Sequence, residues 1–282
     1  MSRVALVVDS TAYIPQKYLD QHKISVAPQV LIWGNETFAD GVDILPTEFY
    51  SRLKTAKVMP STSQVTPQYF HKLFGKLTDE GYEVLAVLIS EKLSGTIASA
   101  IQAKEMLPGA PIEIVDSYTT AMAMGYVVLE VARIAENGAS LAECKALAEK
   151  ARQNVGVVFC VDTLEFLYRG GRIGGGSRLL GTALNIKPIL EVTGGKVEAV
   201  ERVRTRKKSI ARMLELVEER IAGRTPVRLA TLHANVADEA QELLSLAGQR
   251  YGAVEQIFSD VSPVIGTHAG PGTLGLAFMA GI

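Results

Sequence analysis

The sequence predicts an α/β protein of two domains: an N-terminal α/β/α domain with a parallel sheet over residues 1–155, and a C-terminal α+β domain over residues 156–282. In the first half, apolar runs of strand length alternate with helical patterns, which is typical of a parallel sheet covered by helices on both faces. Beyond residue 156 a hairpin signal interrupts this alternation. A chain of 282 residues is long enough for two domains.

The composition is that of an ordinary globular protein. Hydrophobic residues make up 48% and charged residues 21% of the chain, and a formal charge of −1 gives no reason to expect nucleic acid or an acidic membrane as a partner. No apolar run approaches the roughly 20 residues of a membrane span, and Val4–Val8 is too short for a signal peptide. Cys144 and Cys160 lack the spacing of a metal or disulfide framework. We therefore expect a cytoplasmic protein without stable membrane insertion.

Local signals define the elements of the N-terminal half. Pro67 suits the first position of a helix whose N-cap is Thr66, and Ser140 with Glu143 forms a capping box. Gly34 precedes Asn35 in a tight turn, which predicts a hairpin. The predicted strands are Val4–Val8, Ile24–Trp33, Glu36–Phe38, Val84–Ile89 and Ile112–Val115. The predicted helices are Pro15–His22, Pro46–Lys54, Pro67–Asp79, Ser94–Leu107, Thr119–Glu136 and Ser140–Asn154.

In the C-terminal half, the segment 193–195 is a strong hairpin turn signal. The predicted strands are Val157–Val161, Ile186–Val192, Lys196–Val203, Val227–Leu232, Val254–Phe258 and Pro263–Thr267. The predicted helices are Ser177–Leu184, Lys207–Ala222 and Val236–Arg250. The glycine-dense segment 170–176 lacks both the P-loop and the dinucleotide spacing, so we expect a turned crossover that displays Arg172 at the surface.

A potential anion site lies where the strand Val84–Ile89 gives way to a helix through Ser94, Gly95 and Thr96. The start of a helix leaves backbone N–H groups unpaired and carries the positive end of the helix dipole. In an open α/β sheet, ligands bind beyond the carboxyl ends of the strands. The alternative is that Ser94 serves only as the N-cap of the helix. The segment alone leaves both interpretations open.

Three further polar features also have an ordinary structural interpretation. The hydroxyl-rich segment 60–64 is either a ligand-binding loop or a solvated one. His268 is either a binding residue or an ordinary turn histidine before Gly270. The basic run 202–208 is most often a solvated face.

Short motifs in a fixed order carry a resemblance to a known family. They are Val7-Val8-Asp9-Ser10-Thr11, Pro60-Ser61-Thr62-Ser63-Gln64, Leu93-Ser94-Gly95-Thr96, Asp162-Thr163-Leu164-Glu165 with Gly170-Gly171-Arg172-Ile173, Lys187-Pro188-Ile189-Leu190, Val203-Arg204-Thr205 and His268-Ala269-Gly270-Pro271-Gly272. Each motif is weak alone, but together they span the whole chain. The sequence resembles the DegV family, which includes the fatty-acid-binding subunits of bacterial fatty acid kinase.

The resemblance implies that one long-chain fatty acid lies in a tunnel with its carboxylate between the two domains. By similarity, Thr62 and Ser94 offer hydroxyls to the carboxylate beside Gly95, while Arg204 and His268 form the basic side of the network. The fatty acid is the ligand, and no other cofactor is expected. Further residues expected near the carboxylate are Ser61, Thr96 and Arg202. Arg202 is included because it lies two residues from Arg204 on the same strand face.

The resemblance also implies a partner, a separate ATP-dependent kinase subunit that converts the bound carboxylate to an acyl phosphate. In that case the chain is a carrier without catalytic residues of its own, and Arg172 is a candidate kinase contact. The alternative is a serine hydrolase in which Ser94 is the nucleophile, His268 the base, and Asp9 or Asp116 orients the base. Against it, the residues around Ser94 do not form the G-x-S-x-G elbow.

Overall fold

A four-stranded parallel sheet organises the N-terminal half in the computed structural model, which describes residues 3–179 and 186–282. Its order is β2-β1-β6-β7, and every neighbouring pair is parallel. The last five residues of each central strand, β1 and β6, are buried, as expected where a sheet is covered on both faces. The strands are β1 (Arg3–Asp9), β2 (Ser25–Ala27), β6 (Tyr82–Leu88) and β7 (Ile112–Asp116).

A second, three-stranded antiparallel sheet has the order β4-β3-β5, formed by β3 (Val30–Trp33), β4 (Glu36–Ala39) and β5 (Ser61–Ser63). The predicted hairpin of β3 and β4 is confirmed. The predicted single strand Ile24–Trp33 is instead two strands, β2 and β3, which belong to different sheets. Three consecutive polar residues form β5 because they pair with β3, which lies some thirty residues earlier, and this long-range pairing has no local sequence signal.

The helices of the N-terminal half follow their predicted positions. Thr66 caps α3 by accepting a hydrogen bond from the backbone N–H of Tyr69 at 3.2 Å, and the predicted capping box of Ser140 and Glu143 is present. The helices are α1 (Gln16–His22), α2 (Pro46–Leu53), α3 (Pro67–Asp79), α4 (Thr96–Glu105), α5 (Ala121–Glu136) and α6 (Leu141–Ala151).

The C-terminal half forms a six-stranded mixed sheet of order β10-β9-β8-β13-β11-β12, in which only β11 and β12 are parallel neighbours. The strands are β8 (Val155–Cys160), β9 (Lys187–Thr193), β10 (Lys196–Val203), β11 (Val227–His233), β12 (Glu255–Ile257) and β13 (Leu274–Ala280). The helices are α7 (Glu165–Arg169), α8 (Arg206–Ile221), α9 (Ala237–Tyr251) and α10 (Pro263–Ala269). The two-part α/β architecture is therefore confirmed, while the boundary at residue 155 stays a prediction.

Two predicted elements of this half differ from the structure. The segment Pro263–Thr267, predicted as a strand, is the start of α10, because Pro263 occupies the first turn of a helix, where its missing N–H costs nothing. The residues Gly174–Leu179 form a 3₁₀ turn where a helix was predicted from Ser177, and the rest of that predicted helix lies outside the described residues. Within 3–179 and 186–282, no helix is long and apolar enough to cross a membrane.

Helix α5 joins the two halves. Eleven of its residues are buried, because it packs against β1 and β6 of the parallel sheet and against β8, β11 and β13 of the mixed sheet. The hydroxyl of Tyr126 on α5 donates a hydrogen bond to the carbonyl of Leu229 on β11 at 2.5 Å. One continuous hydrophobic core therefore contains residues from both halves of the chain.

Candidate functional site

A cavity lies between the two halves and is lined by residues of both. The centre of a water molecule can occupy about 90 Å³ of it, several times what a single water requires. The cavity is therefore larger than a packing defect. Its apolar lining consists of Ile89, Leu93, Ala121, Val157, Phe159, Leu167, Val192, Val197, Leu232, Val261, Val264, Ile265 and Ala269. Its polar lining includes Thr11, Tyr13, Gln29, Thr62, Ser63, Gln64, Ser94, Thr120, Arg172, His268 and Thr273.

Thr62 and His268 meet at the wall of this cavity. Strand β5 supplies Thr62 and helix α10 supplies His268, and Oγ1 of the threonine lies 2.8 Å from Nε2 of the imidazole. Burial, together with the charge of Arg172, lowers the pKa of His268 from 6.5 to about 4. The imidazole is therefore neutral at pH 7, and its Nδ1 has no hydrogen-bond partner among the described residues.

Ser94 faces the cavity with its hydroxyl held by a buried network. Its Oγ lies 2.8 Å from Oγ1 of Thr96, which also accepts a hydrogen bond from Nε2 of Gln29 at 2.8 Å. Helix α4 begins at Thr96 with Gly95 as its N-cap residue and without a side-chain capping bond. The interpretation of Ser94 as the N-cap is therefore wrong. Thr96 does not line the cavity but holds Ser94 in place.

Gly95 also lies behind the wall. A Cβ atom on this residue would come within 3.2 Å of the Gln64 side chain, which does line the cavity. The glycine thus allows close packing at this point and is not itself a lining residue.

Arg172 points inward, contrary to the expectation that the glycine-dense segment displays it at the surface. Its Nε donates to the carbonyl of Leu93 at 3.0 Å and its guanidinium nitrogen Nη1 to the carbonyl of Gly170 at 2.7 Å, and the side chain lines the cavity. Arg172 points inward because the residues that follow it in the chain pack against strand β10. A Cβ on Gly174 would lie 2.1 Å from the carbonyl oxygen of Val197, so only glycine allows this approach.

Arg204 and Arg202 are not brought to the site, although Arg204 was predicted as its cation. Both are exposed, and neither lines a cavity described here. They lie at the end of β10, which is an edge strand of the mixed sheet, and the alternation of side chains places both on the same solvent-facing side. Arg172 stands where Arg204 was expected, and Ser61 is exposed and lines only a second, outer cavity.

Two polar residues that line the cavity, Gln29 and Arg172, were not expected there from the sequence. Gln29 follows β2 at the carboxyl end of the parallel sheet, a position that favours a binding role, but no motif marks it. The glycines on either side of Arg172 indicate its inward direction. A Cβ on Gly170 would lie 2.0 Å from Nδ1 of His268, so this part of the backbone packs closely against the site. Close approach of backbone and side chain is a common reason for such glycines.

The described geometry does not form the relay of a serine hydrolase. The hydroxyl of Ser94 bonds to Thr96, and His268 bonds to Thr62 without a carboxylate partner. Asp9 is buried, which raises its pKa, and accepts hydrogen bonds from Thr11 and from the backbone of Ile89. Asp116 accepts from the backbone of Tyr118 at 2.7 Å. The predicted residues therefore do not support nucleophilic catalysis.

The fold and the site define a class of protein: a two-part α/β protein that encloses an apolar cavity with a polar wall between its halves. The profile of the DegV family, described as uncharacterised proteins, matches residues 3–281. The chain belongs to the DegV family. A DegV domain-containing protein of Streptomyces coelicolor is 37% identical over 279 residues, covering 98% of both chains.

Solved structures agree with this assignment. A DegV family protein from Thermus thermophilus, described by its fatty acid binding, has a TM-score of 0.93 and 34% identity over 99% of both chains. The DegV protein of Bacillus subtilis, described as a fatty acid binding protein, has a TM-score of 0.90 and 32% identity over 99% of this chain and 100% of its own. The same fold in these relatives therefore binds fatty acids.

Proposed function

We propose that this protein binds one long-chain fatty acid in the cavity between its halves, with the carboxylate at Thr62, Ser94, His268 and Arg172. The supporting observation is the combination of an apolar cavity with a wall of hydroxyls, a neutral imidazole and a guanidinium. The fatty acid binding described for the relatives from Thermus thermophilus and Bacillus subtilis agrees with it.

The apolar lining suits the acyl chain of a fatty acid, and the polar lining suits its carboxylate. About fifteen methylenes at ~0.8 kcal/mol each contribute on the order of 12 kcal/mol before the costs of association. A carboxylate buried without partners would cost several kcal/mol. Arg172 supplies a compensating charge, and Ser94 and Thr62 supply hydroxyl donors. Hydrogen bonds to a charged group are about twice as strong as neutral ones.

Mass spectrometry of the small molecules released from the denatured protein tests this proposal. We expect a fatty acid in near-stoichiometric amount, and the substitution Ser94→Ala should lower its occupancy. Ser51→Ala is the matched control, because Ser51 is exposed on α2 and lines none of the described cavities. Protein that contains no fatty acid and takes up none when it is added would overturn the proposal.

The role of a carrier for a separate ATP-dependent kinase is the second part of the proposal. Two sequence features favour it: the glycine-dense segment lacks a P-loop, and no kinase signature is present elsewhere. The proposal places the protein in the cytoplasm, where ATP is available. We expect that the loaded protein forms no acyl phosphate with ATP alone and does so when the kinase is added. Formation of acyl phosphate by the purified chain alone would contradict this role.

Arg172 remains the proposed contact for that kinase, now with a second role at the carboxylate. The two roles are separable with Arg172→Glu, because occupancy by fatty acid and acyl phosphate formation are measured independently. We expect the variant to lose acyl phosphate formation even in the fraction that still carries fatty acid. Unchanged formation per loaded molecule would remove Arg172 from the kinase contact.

A further inference from the structure

A second cavity lies directly outside the polar wall. Thr62, Arg172 and His268 line both cavities, so their side chains form the partition between them. By the same measure of volume, the outer cavity has about 210 Å³. Its further lining includes Ser61 and Arg169, both of which are exposed to solvent. A carboxylate held at the partition can therefore be reached from outside through this cavity.

The charges of the outer cavity exceed what a fatty acid needs. Arg169 and Arg172 line it, and no Asp or Glu does so among the described residues. His268 is neutral at pH 7 because its pKa is lowered to about 4. One carboxylate carries a single negative charge and is matched by Arg172 alone. The second arginine, Arg169, is paired with the exposed Glu165, and a group with more negative charge, such as the −1.5 to −2 of a phosphate, can compete for it.

Arg169 is free to exchange its present partner. It forms an ion pair with Glu165 one turn earlier on α7, with 2.5 Å between guanidinium nitrogen and carboxylate oxygen. Both side chains are more than half exposed, and such surface pairs contribute about 0–1 kcal/mol. A phosphoryl group binds a guanidinium through two parallel hydrogen bonds and competes well with an exposed carboxylate.

We propose that the outer cavity holds the phosphoryl group of a long-chain acyl phosphate, with Arg169 as its contact on this chain. This inference rests on the proposed function. In the reaction, a carboxylate oxygen of the fatty acid attacks the γ-phosphorus of a nucleoside triphosphate held by the separate kinase. The bond from that phosphorus to the oxygen bridging to the β-phosphate breaks, and nucleoside diphosphate leaves with the electron pair. The new phosphoryl group then lies on the outer side of the partition.

Binding of two matched ligands to delipidated protein tests this inference without a kinase. The first is a long-chain fatty acid, and the second is the acylphosphonate of equal chain length, whose P–C bond resists hydrolysis. We expect Arg169→Ala to weaken acylphosphonate binding about tenfold in calorimetry and to change fatty acid binding less than twofold. Arg169→Lys should restore part of the loss, because the charge returns without the paired donors.

Arg250→Ala is the matched control. Arg250 is an exposed arginine whose side chain also lies 2.5 Å from a glutamate, Glu218, but it lines none of the described cavities. It should alter neither affinity. Exclusion of the acylphosphonate by the wild-type protein, or equal loss of both ligands in Arg169→Ala, would overturn the inference. A protein that binds neither ligand would instead refute the proposed function.

Discussion

The hydrogen bond between Thr62 and His268 links residues 206 positions apart in the chain and connects the N-terminal half to α10. It is also the only hydrogen bond of the imidazole among the described residues. A buried polar group that loses its partner destabilises the protein by about 1–3 kcal/mol. The pair therefore affects both stability and the binding site.

We expect Thr62→Val to lower the free energy of unfolding by about 1–3 kcal/mol, because the isosteric side chain leaves Nε2 of His268 unpaired. Fatty acid occupancy should fall as well. Urea unfolding of the delipidated variant measures the first effect and mass spectrometry the second. Thr62→Ser keeps the hydroxyl and should behave like the wild type. A Thr62→Val variant as stable as the wild type would show that the hydrogen bond does not contribute to stability.

Gly170 is the second residue whose role can be tested singly. A methyl group there would lie 2.0 Å from Nδ1 of His268, so Gly170→Ala must displace the imidazole. We expect a marked loss of fatty acid occupancy. Gly171→Ala is the comparison: its φ of +69° strains the backbone by about 1 kcal/mol, but its Cβ meets nothing within 4 Å. Equal occupancy in the two variants would contradict the steric role of Gly170.

Thr62, Ser94 and His268, which the family resemblance implied as site residues, line one cavity in the structure. The arginine that lines this cavity is Arg172, whereas Arg204 was expected there. Arg204 lies in a recognisable motif, whereas the direction of Arg172 depends on how the neighbouring backbone packs against β10. Packing of this kind involves residues distant in the chain and leaves no periodic pattern.

Helix α10 carries His268 at its C-terminal end and is anchored at its N-terminal end by Asp40. One carboxylate oxygen of Asp40 accepts from the backbone N–H of Val264 at 3.2 Å, and the other accepts from the hydroxyl of Ser10 at 2.6 Å. Burial raises the pKa of Asp40 from 3.8 to about 6, and the charge of Asp9 adds a smaller contribution in the same direction. An ionised Asp40 is therefore held in place at a cost to stability.

The raised pKa of Asp40 predicts how the free energy of unfolding changes with pH. Because the folded protein binds this proton more tightly than the unfolded chain, the stabilising contribution is complete below about pH 4 and is lost as the pH rises through about 6. The shift corresponds to a difference on the order of 3 kcal/mol.

We therefore expect Asp40→Asn to be more favourable, relative to the wild type, at pH 7.5 than at pH 5. Thermal unfolding at both values measures this difference. Asp79→Asn, at the exposed end of α3, should show no comparable change. A stability difference between Asp40→Asn and the wild type that stays constant from pH 5 to pH 7.5 would mean that the carboxyl group does not titrate in this range.

The elements themselves were largely predictable, because long amphipathic or buried segments carry a clear period. The predicted bounds of α3 agree with those observed, and the capping box of α6 is present. The errors concern short elements: the division between β2 and β3, the 3₁₀ turn Gly174–Leu179, β5 and the seven-residue α10. The last two can be explained. Their conformations follow from pairing with β3 and from docking against α2 and α7, which are tertiary effects.

A ligand between the halves of one core should stabilise the whole molecule. A compound that binds only the folded state raises the free energy of unfolding by about 2.7 kcal/mol at a free concentration of one hundred times its Kd. We expect delipidated protein to unfold at a lower temperature than loaded protein, and added fatty acid to restore the midpoint. Ser94→Ala should show a smaller shift at equal ligand concentration. An unchanged midpoint on delipidation would argue against binding in the shared core.

Because α5 is buried against both sheets, the two halves of the chain are not expected to be stable as separate fragments. The side chains of α5 pack against both sheets. Cleavage of the chain near residue 155 would therefore expose an apolar face of α5 on one fragment and an apolar face of the mixed sheet on the other. Neither fragment would retain the whole lining of the cavity, which is drawn from both halves of the chain.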